Sequence, residues 1–205
     1  FVYNNSHQKA DLRTAQAITY FLKQNSFTSA IQNGAERELL RRMLSQWIEQ
    51  SEGWMAYQGM TMALQYELPS GLVTAKRLLN QPPDPNLAYA RWYALLTMAR
   101  FGSNDDLELI ETFLDDTTPY GTTVRVNREV KYRTQMRDVA LAALVHLTKQ
   151  DYTDYGFDRL RAQPTFVFDL NSIAFEDDEK RDEAIKRWRE YRTKEAAKAT
   201  DKKDS

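Results

Sequence analysis

The 205-residue chain predicts an all-α fold, in particular a right-handed α-α superhelix (solenoid) of stacked helical hairpins. Three observations carry that expectation. Seven Gly and six Pro are few for a chain of this length built on β-turns, which repeatedly need a positive or fixed φ. Apolar residues recur three and four apart, the spacing of a helix face rather than of a strand. The helical segments also resemble one another. Sliding residues 91–101 by 46 positions sets Arg91 on Arg137, Ala94 on Ala140, Leu95 on Leu141, Met98 on Leu144 and Phe101 on Leu147. A weaker offset of 38 sets Trp54 on Trp92, Ala56 on Ala94 and Met60 on Met98.

The elements follow in order. A first helix is expected over residues 11–23, with Leu12, Ala15, Ile18 and Leu22 on one face. A second spans 35–50, with Leu39, Leu40, Met43, Trp47 and Ile48 inward and Glu38 and Arg42 as an exposed i,i+4 pair. A third covers 54–66. Pro69, Ser70 and Gly71 then turn the chain into a short helix over 72–80, which "QPPDP" ends because proline cannot continue the hydrogen-bond ladder. Helices over 86–101 and 105–115 follow, and after the long connection "DTTPYGTTVRVNREVKY" comes one over 134–149, containing "RDVALAALVHLT". The alternation in "TVRVNREVKY" would also suit a short hairpin.

Composition narrows the function classes. Basic and acidic residues number 16 and 15 up to Gln150 and 12 and 14 after it, so neither part carries the positive field that nucleic acid or an anionic membrane would demand. With no Cys, thiolate nucleophiles, disulfides and Cys-ligated metals are excluded. The longest strictly apolar run, Val139 to Val145, is far short of the ~20 residues of a membrane span. The chain starts at Phe1 without a basic-then-apolar leader, and reads as a piece of something longer.

Arg137, Ala140, Leu141, Leu144 and Leu147 in "MRDVALAALVHL", with Arg91, Ala94, Leu95, Met98 and Phe101 in "ARWYALLTMARF", resemble the HEAT repeat's recurring basic, small and apolar positions. The block "RDVALAALVHLTKQDYTDYGFD", followed by "FEDDEKRDEAIKRWREY", is similar to the C-terminal HEAT-like domains of large, often exported bacterial proteins. That resemblance implies stacking helical hairpins, a slight preference for an extracytoplasmic location and no catalytic residue. The close resemblance covers residues 133–192 and a looser repeat pattern reaches back to residue 35; with the polar composition of the ends, the expected layout is a frayed segment over 1–10, one domain over 11–195 and an unstructured polar tail over 196–205. The repeats are clearest over 54–158, and a C-terminal cap spans 159–195.

Candidate sites are weighed against packing. His146 lacks the carboxylate orienter and nucleophile that a catalytic base requires, and the only other histidine is His7. Asp151, Asp154 and Asp158 miss the alternating ligands and closing Glu of a calcium loop; Asp151 reads better as an N-cap with Asp154 near N3. Asp177 or Asp178 caps a last helix whose stripe is Ala184, Ile185, Trp188 and Tyr191. Trp47, Trp54, Trp92 and Trp188 are expected in the core, and any of them left exposed becomes a recognition candidate. The long connection supplies the candidate interaction loop, comprising Tyr120, Arg125, Arg128, Lys131, Tyr132 and Arg133, since Arg and Tyr are hot-spot residue types.

The expectation is therefore a noncatalytic scaffold or protein-interaction domain with no cofactor and no metal. Its partner would be another protein or another domain of the parent chain. Two alternatives are a HEAT-like DNA-binding or glycosylase-type enzyme, disfavoured by the balanced charge, and a peptide- or glycan-binding module.

Overall fold

A computed structural model of the chain describes residues 12–126 and 129–201. The fold is mostly helical, with nine α-helices and two small two-stranded sheets among the described residues. It divides into two compact units, residues 1–91 and 92–205.

The first unit contains α1 (Leu12–Leu22), α2 (Asn25–Asn33), α3 (Arg37–Gln50), α4 (Gly53–Tyr66) and α5 (Gly71–Leu79). After these come a 3-10 turn (Pro85–Leu87) and the start of α6 (Ala88–Phe101). Helix α2 was not expected from the sequence, because Asn, Ser and Thr, which favour caps and turns, fill five of the nine positions of "NSFTSAIQN"; Phe27 and Ile31, four apart, anchor it in the core. In α3 the buried side is Leu44 and Ile48, whereas Leu39 and Met43, expected inward, are exposed. The apolar residues of that helix cover more of its circumference than its neighbours can bury.

Side-chain hydrogen bonds to main-chain carbonyls join the elements of this unit. The buried Tyr66 hydroxyl donates to Leu22 O at 3.0 Å and lies 3.1 Å from Thr28 Oγ1, which ties α4 to α1 and α2. Thr74 in α5 donates to Ile48 O at 2.6 Å, and Arg77 donates to the carbonyls of Glu49 and Ser51 at 2.7 and 2.6 Å. These satisfy acceptors that the C-terminus of α3 leaves without helical partners. Close approach of α3 and α4 depends on Gly59, where a Cβ would lie 2.7 Å from Ser51 Oγ.

In the second unit, α6 leads into a 3-10 turn (Asn104–Asp106) and α7 (Leu107–Glu111). The long connection forms a hairpin of β1 (Pro119–Val126) and β2 (Glu129–Gln135), as its alternation suggested. The pairing is antiparallel, from Val126 opposite Glu129 to Pro119 opposite Gln135, with two irregularities of register. Helix α8 (Met136–Leu147) follows directly. Residues 139 to 145 of α8 are 0% exposed, so the helix is apolar on every side and must be covered on every side. Its neighbours are α7, β2, the 3-10 turn Tyr152–Tyr155 and α9 (Asp178–Asp201).

Between that turn and α9 lie the short strands β3 (Ala162–Gln163) and β4 (Val167–Phe168). Val167 has φ +67°, a region costly for a β-branched residue, and the Phe168 amide donates to Phe166 O at 2.8 Å across it. The bend buries Phe168 and leaves Phe166 half-buried, its ring edge-on to Tyr93 at 5.8 Å. Asp177 caps α9 through the Lys180 amide at 2.8 Å, and Ala184, Ile185 and Trp188 form the buried stripe, with Tyr191 half-buried. The helix runs on to Asp201, through part of the stretch expected to be unstructured.

Candidate functional site

The residues singled out in the sequence fall into three groups. Of the interaction-loop set, Arg128 lies outside the described residues, as do the side chains of Arg125 and Lys131. Their backbone places Arg125 on β1 opposite Val130 and Lys131 on β2 between two paired positions. Tyr120 and Tyr132 are half-buried and engaged within the unit. Tyr120 packs edge-on against Trp92 at 5.3 Å, and the Arg159 guanidinium sits 4.0 Å over the Tyr132 ring. Arg133 is exposed, while its carbonyl accepts from Arg181 Nη2 at 3.3 Å. The described end of the hairpin is thus fixed in place, and Thr134 secures it further by donating to Leu170 O at 2.7 Å.

The anchor is a charge cluster that sequence reasoning missed. Asp138, 0% exposed, accepts from Arg181 Nε at 2.5 Å and from Arg181 Nη2 at 3.3 Å, and also takes the Gln135 amide at 2.8 Å. Arg181 reaches Asp178 as well, and Arg137 bridges Asp178 and Asp182 at 2.6 and 3.1 Å. Burial pushes the Asp138 carboxyl up to about 6, outweighing the lowering by Arg181. Asp138 also closes a capping box with Gln135 at the start of α8, and its partner Arg181 lies 43 residues away, beyond the reach of any local sequence signal.

The second group is His146. It is exposed, with Nδ1 2.6 Å from the Tyr152 hydroxyl and its ring edge-on to Phe168 at 5.8 Å. Burial, then the charge of Arg100, lowers its pKa, and burial pushes the Tyr152 hydroxyl up to about 12. Both are therefore neutral near pH 7, with the phenol as donor and the imidazole nitrogen as acceptor. Asp151 accepts from the Thr153 amide at 2.9 Å, capping the turn that Gly156 ends at φ +76°. Among the described residues no group of three or more His, Asp and Glu is placed to hold a metal ion.

The third group is the tryptophans. Trp92 and Trp188 are buried, the latter donating its indole N–H to Glu111 at 2.8 Å. Trp47 is half-buried, but Trp54 is 45% exposed on the first turn of α4. Its ring lies 4.9 Å from that of Tyr57, which in turn meets Tyr89 edge-on at 5.3 Å; Tyr89 is 43% exposed. Three aromatic rings therefore form a continuous corner on the surface of the first unit.

Family models, curated proteins and solved structures give no match to this chain. Residue chemistry alone must then say what the aromatic corner can do. Its rings are tilted by 47° and 77° and packed on one another. They offer rigid apolar area with few rotatable bonds, the property that makes Trp and Tyr effective anchors in protein interfaces.

Proposed function

We propose that the chain is a noncatalytic helical scaffold of HEAT-like hairpins that binds another protein, or another domain of its parent chain, through the first unit. The observation that carries this reading is the Trp54–Tyr57–Tyr89 corner. Large aromatic rings on a surface lose little entropy on binding and gain their full burial only against a partner. The exposed Leu39 and Met43 of α3 support it as further apolar area on the same unit.

The test is capture of neighbours in the native host, followed by reconstitution with purified partner. Trp54→Ala with Tyr89→Ala should weaken the reconstituted complex by roughly thirtyfold or more, the scale of hot-spot truncation, at unchanged helicity. The reading fails if no captured protein binds in purified form, or if the double variant binds as tightly as wild type.

A further inference from the structure

The chain has six methionines and no cysteine, so methionine supplies all of its sulfur. The fold distributes that sulfur unevenly. Met60, Met62 and Met98 are 0% exposed and Met136 is 1% exposed, each sealed inside its unit, and Met55 on the first turn of α4 is half-buried. Met43 is the exception, with 49% of its surface exposed in the middle of α3.

Helical spacing explains why this sulfur meets water. The buried positions of α3 are Leu44 and Ile48, whereas Met43 shares a face with Leu39, four residues before it and 45% exposed. The two form a short apolar strip, and Glu38, Arg42 and Gln46 beside it are exposed as well. Within the strip the thioether is the reactive group, because its sulfur is soft, polarizable and open to oxidation.

We propose that Met43 is a peroxide-sensitive switch, whose oxidation to the sulfoxide turns the exposed strip of α3 from apolar to polar. The sulfur lone pair attacks one oxygen of hydrogen peroxide, the O–O bond breaks as an S–O bond forms, and the second oxygen leaves as water after proton transfer. Sulfur gives up two electrons and the peroxide takes them. A methionine sulfoxide reductase, with a dithiol as its reductant, reverses the change. The chain has no thiol of its own to intercept the peroxide first. At Met43 the new S–O dipole is solvated, whereas at Met60 or Met98 it would be buried among apolar side chains. An effect on docking rests on the scaffold reading, in which Leu39 and Met43 add apolar area; the site of oxidation does not.

Treating the folded whole chain with dilute hydrogen peroxide, then mapping peptides by mass spectrometry, tests the site. Met43 should gain oxygen ahead of Met55 and roughly tenfold or more faster than the four buried methionines, and reductase should remove it. In denaturant the six rates should converge, since folding alone shields the others. The assignment is overturned if Met55 or a buried methionine reacts as fast as Met43 in the folded chain, or if reductase leaves the oxygen in place. Oxidised wild type should also elute earlier from a hydrophobic-interaction column, while Met43→Leu, apolar and of similar size, should not shift after the same treatment. No shift in wild type, or an equal one in Met43→Leu, would overturn the switch. In a reconstituted partner complex, oxidation should weaken wild type roughly fivefold and leave Met43→Leu at its own untreated affinity. Unaltered binding of oxidised wild type would overturn the effect on docking, while the Trp54 and Tyr89 substitutions judge the scaffold reading separately.

Discussion

Replacing Arg181 by Met should be the most damaging single change in the second unit. Arg181 is 3% exposed and its guanidinium gives Asp138 two of its three hydrogen bonds, so its loss leaves a fully buried carboxylate with the Gln135 amide alone. Breaking a buried pair from one side costs about 3–5 kcal/mol, a large part of the roughly 5–15 kcal/mol that holds a domain folded. Removing both partners has a different outcome. Desolvation already outweighs pairing at Asp138, so Asp138→Leu with Arg181→Met should lie within about 1 kcal/mol of wild type, the lost amide acceptor included. Hydrogen exchange of α8 amides measures this locally, which matters because the chain has two units and one global unfolding energy would mix them. The reasoning is refuted if Arg181→Met costs under about 1 kcal/mol, or if the double variant is as unstable as the single one.

Other outcomes follow from the same geometry. A carboxyl raised from 3.8 to about 6 stabilises the fold fully below the lower value and loses that contribution as pH rises through the upper one. The stability of wild type relative to Asp138→Asn should therefore fall by roughly 3 kcal/mol from about pH 3 to about pH 7, and a flat difference in urea titrations would contradict it. Gly59→Ala should cost about 1–3 kcal/mol through its clash with Ser51 Oγ, and Ser51→Ala should return part of that loss in the melting temperature of the double variant. Glu67 ends α4 at φ +52°, so Glu67→Gly should raise thermal stability by about 0.5–1 kcal/mol; a lower melting temperature would count against a strained cap. Thr74→Val removes one of three donors to Ile48 O, leaving the Ser51 amide and hydroxyl in place, and should cost about 0.5–1 kcal/mol in denaturant unfolding.

What the sequence disclosed depended on how local the determinants were. Helix α8 was legible because its alanines and leucines leave no polar face, and the hairpin because its residues alternate. Helix α2 was illegible because its Asn, Ser and Thr residues favour caps and turns, and the tertiary burial of Phe27 and Ile31 holds it as a helix. The inward face of α3 was drawn too wide, since periodicity shows which residues are apolar and not how many a neighbour can cover. At the candidate sites, Tyr120 and Tyr132 carried the right residue type for recognition but found partners inside the unit. Trp54, by contrast, sat in a pattern that read as core and emerged on the surface. Neither outcome can be read from spacing, because both depend on contacts between residues far apart in the chain.

The Arg181 hub also sets which positions can drift as the chain evolves. Asp138 and Arg181 touch through their side chains, so an acceptable change at one demands a change at the other. Arg133 meets the same guanidinium only through its carbonyl oxygen, which every amino acid possesses. Related chains, when they can be aligned, should therefore show residues 138 and 181 substituted together, as a charged pair or an apolar one, while residue 133 varies freely beside them.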